Sequence, residues 1–158
     1  MLIGARTPEA FDRLKAQFAE RKTKKTYLAI TSGTPKQPSA KIDIPLGRNP
    51  ARPSTWRADP KGKTAQTIYQ TLQTRGKLSL VELRPLTGRT HQLRVHLAHI
   101  GAPILGDRVY GAPAARLFLH AYALEITIRA GERRTFTAPI PPEFTELFPG
   151  AGDVEIDI

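Results

Sequence analysis

The chain has 158 residues, with 24 lysines and arginines against 14 acidic residues for a net charge of +10, and no cysteine. The length fits one domain with a core of its own, the lack of cysteine excludes disulfides and thiolate metal sites, and no apolar run reaches the roughly 18–20 residues that cross a bilayer. A soluble, cytoplasmic protein is therefore expected, and the basic excess points to a polyanion such as RNA or DNA, with a merely soluble basic surface as the alternative.

Taken from the N-terminus, Met1 to Arg6 lacks the basic stretch followed by a long apolar one that marks a signal peptide. Thr7 as N-cap and Pro8 in the first turn open a helix, with Ala10, Leu14 and Phe18 on one face. A basic run, Arg21 to Lys25, leads into a strand predicted over 26–31. Residues 32–66 read as loop-rich, punctuated by Ser32-Gly33-Thr34-Pro35 and Arg48-Asn49-Pro50, with one short strand over 40–46. Two paired strands, 64–73 and 77–85, meet at Arg75-Gly76.

A second helix is predicted from Thr90 to Ile100, with Leu93, Leu97 and Ile100 on its buried face and Gly101 ending it. The longest apolar run, 117–128, reads as a central strand, and 133–139 as a last strand paired with it. Pro141-Pro142 breaks the chain before a short C-terminal turn. One helix, then mostly strands with an inserted helix, gives an α+β class: a mixed, mainly antiparallel sheet with flanking helices. Residues 1–148 are read as one domain and 149–158 as an acidic, solvated tail.

The positive charge gathers at Arg13 to Lys25, Arg48 to Lys63 and Arg84 to Arg94. The third of these carries the strongest local signal. A strand enters a glycine turn, Leu86-Thr87-Gly88, and a helix whose first turns hold Arg89, His91, Gln92, Arg94 and His96. A structural helix more often places acids at that end. Several cations there suit an incoming anion, such as a phosphate or a catalytic carboxylate; a solvated basic helix start is the competing reading. His91, His96 and His99 do not share one face as a ligand set, so no metal site is expected.

The run Thr87-Gly88-Arg89-Thr90-His91-Gln92-Leu93-Arg94-Val95-His96-Leu97, with Pro103 to Asp107 and Tyr110-Gly111 behind it, closely resembles a signature segment of RluA-type RNA pseudouridine synthases. Three further pieces agree in order and spacing. Lys25-Thr26-Tyr27-Leu28-Ala29 resembles the tyrosine motif of that family, Gly62-Lys63-Thr64-Ala65 with Thr67 and Tyr69 its lead-in strand, and Leu119-His120-Ala121, Leu124 and Phe136 to Pro139 its closing strands.

The resemblance implies the pseudouridine synthase catalytic-domain fold, in incomplete form. It implies isomerisation of uridine to pseudouridine in structured RNA (ribosomal or transfer RNA) by an enzyme that flips the target base into a pocket and needs no cofactor or metal. Carried over by motif, Tyr27 stacks on the flipped base and takes part in removing the C5 proton. Arg94 orients the catalytic aspartate, since a guanidinium fork holds a carboxylate bidentately. Leu93 lies beside the pocket, with plain core packing as the alternative reading. Lys22, Lys24, Lys25, Lys63, Arg89, His91 and Gln92 are the expected RNA contacts.

One departure matters. The family nucleophile sits in a His-Arg-Leu-Asp segment ahead of a strand like Leu2 to Thr7, and no such segment occurs here. None of the six aspartates, Asp12, Asp43, Asp59, Asp107, Asp153 and Asp157, stands in its context. The expectation is a catalytic domain missing its nucleophile, with Arg94 left without a partner, through a fragment, a wrongly assigned start or a natural truncation. The competing expectation is an inactive RNA-binding module of the same fold; a basic ribosomal protein is a weaker third. A sheet edge or apolar groove should then lie exposed and invite self-association.

Overall fold

The first helix, α1 (Pro8–Ala19), begins where Thr7 supplies its side-chain oxygen to the Ala10 N–H at 3.2 Å and Pro8 fills the first turn. The computed structural model describes residues 1–129, 131–152 and 156. The chain continues through β1 (Lys24–Ser32), β2 (Ser39–Asp43), β3 (Leu46–Arg48), β4 (Trp56–Ala58), β5 (Gln66–Arg75) and β6 (Leu78–Pro85). Then come α2 (Gln92–His99), β7 (Leu119–Arg129), β8 (Glu132–Thr137) and α3 (Pro142–Leu147).

Six strands form one sheet in the order β2-β5-β6-β1-β7-β8, and each neighbouring pair in it runs antiparallel. This is an α+β fold with an antiparallel sheet, as the chain-order reading expects. The sheet's centre is β1 and β6, whose pairing sets Leu28 against Glu82 and Ile30 against Leu80. The 117–128 run, expected to be central, is β7 instead and lies one place from the edge. Hydropathy reports burial, which β7 shares, but not rank in the sheet.

Two other expectations change. The single short strand over 40–46 is two strands, β2 and β3, separated by Ile44-Pro45. β3 pairs with β4 in a small separate hairpin, with Gly47 opposite Arg57. The apolar stripe of α1 is not buried: no residue of this helix is, and Phe11 and Phe18 are 57% and 41% exposed. The main core gathers Leu28, Ile30, Leu80, Val81 and Leu83 from the sheet, Leu93 and Leu97 from α2, and Phe144 and Phe148 at α3. A smaller cluster of Leu46, Ala65 and Val95, covered by Trp56 and Tyr110, seats the hairpin on α2. Ala151 and Ile156 also pack on the main core, so packing continues past residue 148. The rest of the acidic tail, 153–155 and 157–158, lies outside the described residues.

Candidate active site

The turn between β6 and α2 is braced from inside by one carboxamide. Gln92 is 4% exposed. Its oxygen accepts from the Thr87 hydroxyl at 2.7 Å and the Arg89 N–H at 3.0 Å, while its nitrogen donates to the Gln66 carbonyl at 2.9 Å and the Thr67 hydroxyl at 3.0 Å. All four of its hydrogen-bonding positions are filled, so Gln92 is not a free RNA contact; it ties the turn to β5. The expected helix start at Thr90 also moves, because His91 adopts a left-handed conformation, φ 54°, and the helix begins after it.

His96, fully buried, extends the same network. Its Nε2 reaches the Ile44 carbonyl at 3.0 Å and its Nδ1 meets the Thr67 hydroxyl at 3.0 Å. A carbonyl can only accept, so Nε2 carries the hydrogen and Nδ1 accepts from Thr67. Burial pushes the His96 pKa down, and the Ile44 hydrogen bond opposes this only in part.

Arg94 points the other way along α2 and has a partner within the chain, which corrects the expectation that it is left unpaired. Its Nε and one terminal nitrogen each donate to an Asp107 oxygen at 2.7 Å. Asp107 is 1% exposed, and its Oδ1 also accepts from the backbone N–H groups of Val109 at 2.9 Å and Tyr110 at 3.0 Å. Burial alone would raise this carboxyl; the Arg94 fork and the two N–H donors outweigh it and hold the pKa low. The turn that delivers Asp107 needs Gly106 (φ 78°), since a Cβ there would stand 1.7 Å from the Arg116 carbonyl oxygen.

Tyr110 closes the assembly. Its ring lies 5.0 Å from the Arg94 guanidinium carbon, and its hydroxyl accepts from the Trp56 N–H at 2.8 Å and shares a 2.9 Å bond with His91 Nδ1. His91 therefore faces an internal partner. Burial first, and then the charge of Arg94, lowers its pKa, with Asp107 opposing.

Tyr27, Leu93 and Arg94 line one pocket of about 190 Å³, together with Lys25, Gly88 and Arg89. The Tyr27 hydroxyl makes no hydrogen bond among the described residues, and burial raises its pKa, so the phenol stays protonated at neutral pH. The lysines separate by strand alternation. Lys22 pairs with Glu20 at 2.5 Å and Lys24 with Glu125 at 3.0 Å, both at the surface. Lys25, half-buried, has no partner among the described residues, and burial and then the charge of Arg21 depress its pKa. Arg89 donates to the Thr64 carbonyl at 3.1 Å. Lys63 is exposed at the bridge to Leu46, away from the pocket.

Asp107 and Tyr110 stand in the signature segment, but the sequence reading gives them no part in holding Arg94, because they act on it from 13 residues and more away. One signal was available: Asp107 is the only acidic residue between Arg84 and Leu124. An isolated acid in a basic segment invites pairing with one of its cations.

Comparison with known proteins agrees with this architecture. Residues 1–99 match the RNA pseudouridylate synthase family model. An uncharacterized RNA pseudouridine synthase of Zymomonas mobilis is 43% identical over 92% of this chain and 70% of its own length. The dual-specificity RNA pseudouridine synthase RluA of Escherichia coli K12 is 43% identical over 88% of this chain and 67% of its own. Among solved structures, human RNA pseudouridylate synthase domain containing 1 superposes with a TM-score of 0.79 at 31% identity, covering 87% of this chain and 62% of that one. The chain belongs to the RNA pseudouridine synthase family, in its RluA-type branch.

Proposed function

We propose that this chain forms the base-binding pocket of an enzyme that converts uridine to pseudouridine in structured RNA, ribosomal or transfer, in the cytoplasm. The observation that carries the reading is the single pocket lined by Tyr27, Leu93 and Arg94. The isomerisation breaks the bond from N1 to the sugar and joins C5 in its place; C5 loses a proton and N1 gains one. Tyr27, as a neutral phenol, offers a flat face to the extruded base and a hydroxyl near its edge. Arg94, fixed by Asp107, presents its remaining N–H groups to a carboxylate at the sugar.

None of the pocket's lining residues is a carboxylate. Asp107 does not serve as nucleophile, because it is buried and both its oxygens are engaged. The nucleophile is therefore assigned to a segment outside these residues, and the same fact favours a second reading, an RNA-holding module without turnover. Release of tritium from C5-labelled uridine in cellular RNA separates the two. These 158 residues alone should release none above a boiled control. A chain extended by a His-Arg-Leu-Asp segment should release it, with Tyr27→Phe impairing release more than RNA binding. Release by the unextended chain would overturn the assignment of the nucleophile.

Self-association rests on a groove of about 260 Å³ lined by Ile3, Ala10, Leu14, Ile126 and Phe136, with Phe11 and Phe18 exposed nearby. A second copy of the chain is the occupant proposed for it, and sedimentation equilibrium reads the outcome. A monomer at all concentrations would remove this part of the reading.

A further inference from the structure

The pocket over Tyr27 has a larger neighbour. A second pocket, of about 390 Å³, opens beside it at the ends of β1 and β6, with Thr23, Ile68, Arg84 and Leu86 among its walls. The two cavities share only Lys25 and Pro85. Lys25 therefore stands on the wall between them. Its ammonium lies 3.8 Å from where a Cβ on Gly88 would sit, above the turn that enters α2.

Of the cations lining the smaller pocket, Lys25 alone has no partner among the described residues; Arg21, exposed, lines the larger pocket only. Lys24 is held by Glu125, and Arg94 is bonded twice to Asp107, its remaining N–H groups being those assigned above to the carboxylate at the sugar. Arg89, the other cation of the smaller pocket, is tethered to the Thr64 carbonyl. Lys25 is half-buried with no partner among the described residues, so its partial desolvation is uncompensated until an anion arrives.

The larger pocket also has the two kinds of wall that a nucleobase needs. Ile68, Pro85 and Leu86 offer apolar surface for a ring face. The pocket's polar side is lined by Thr23, Lys24 and Glu125, the Thr23 hydroxyl itself being buried.

Neighbouring nucleotides in a strand are joined by one phosphodiester, so two base pockets with one unpaired cation between them match the layout of a dinucleotide. We infer that Lys25 holds the phosphodiester linking two consecutive nucleotides, with one base in the pocket over Tyr27 and the next in the larger pocket beyond it. This rests on the RNA-binding reading above and adds to it a second nucleotide subsite and the position of one phosphate.

The test is a double-mutant cycle between protein and RNA, using short single-stranded oligomers with one uridine. In these oligomers the linkage on either side of the uridine is replaced, one at a time, by a neutral methylphosphonate. For the unmodified chain, neutralising one of the two linkages should weaken binding about tenfold, the size of one charge-assisted contact. In Lys25→Gln the same replacement should cost little, in Lys25→Arg the penalty should return, and Lys24→Gln, whatever it does to affinity, should leave the penalty in place. A Lys25→Gln protein that still pays the full penalty at both linkages overturns the inference, and so does equal suppression by Lys24→Gln. If the oligomer shows no salt-dependent binding at all, the RNA-binding reading itself fails; if it binds but no linkage couples to Lys25, only the subsite assignment fails.

Discussion

The two helices that precede and follow the first half of the sheet are held in opposite ways. Around α2, the side chains of Gln92, Arg94 and His96 are each locked by two or more hydrogen bonds, and the helix buries five of its residues. On α1 no residue is buried, and the helix is tied to β7 by one carboxamide, Gln17, which donates to the Thr127 carbonyl at 2.9 Å and accepts from its N–H at 2.8 Å. Polar networks in a low-dielectric interior fix geometry because every broken bond leaves a desolvated group behind. A helix resting on partial apolar contact carries no such penalty. Rigidity in this chain is therefore concentrated where the pocket is built.

The contrast breaks most sharply at Asp107. Asp107→Ala strands the Arg94 guanidinium and two backbone N–H groups and should cost about 3–5 kcal/mol of stability in urea denaturation, the usual loss when one member of a buried pair is removed. A cost under about 1 kcal/mol, the level of a surface ion pair, would show that the pocket is no better braced than α1.

Acid should strain the same network from another side. His96 is neutral in the folded chain with a pKa pushed below its ordinary value of 6.5, so the unfolded chain binds a proton first as the pH drops. The stabilising contribution is complete above pH 6.5 and is lost as pH falls from there through the lowered folded value; His91 and His120 shift in the same direction and add to it. Melting temperatures at pH 7.5 and 5.5 should differ, with the lower value at the lower pH. The difference should shrink in His96→Asn. A pH-independent melting temperature would mean that His96 is not held neutral.

The smallest effect is expected at α1. Gln17→Ala should cost about 1 kcal/mol or less, and the α1 amides should exchange with deuterium well before those of β1 and β6. Exchange of α1 as slow as that of the central strands would place the helix inside the cooperative core and erase the contrast.

How far the sequence carried depends on the range of the interaction. The Thr7 cap, the Pro8 first turn and the Gly76 turn between β5 and β6 are local, and they fall where the residues indicate. β4 is three residues long and opens on Trp56-Arg57, too short for any period to register. The start of α2 slipped because nothing in a histidine announces the left-handed conformation that the Tyr110 hydroxyl accompanies. Tyr27, Leu93 and Arg94 were legible only through the family resemblance, since a strand tyrosine and a helix arginine are unremarkable alone. The difference between Lys24 and Lys25 exists only in three dimensions, because it turns on which of two adjacent ammonium groups finds Glu125.

The place of β1 at the heart of the sheet has a bearing on how the pocket comes into being. Leu28 is bonded on one side to Glu82 of β6 and on the other to His120 of β7. Both ladders close long loops, and contacts between residues so far apart in sequence form slowly because chain entropy is surrendered before any bond rewards it. Lys25 and Tyr27 leave the ribosome nearly a hundred residues ahead of Leu119, which completes the wall of their pocket. The cleft thus cannot close until β7 has been made, and a partly synthesised chain exposes a basic strand before it has any means of discriminating one polyanion from another.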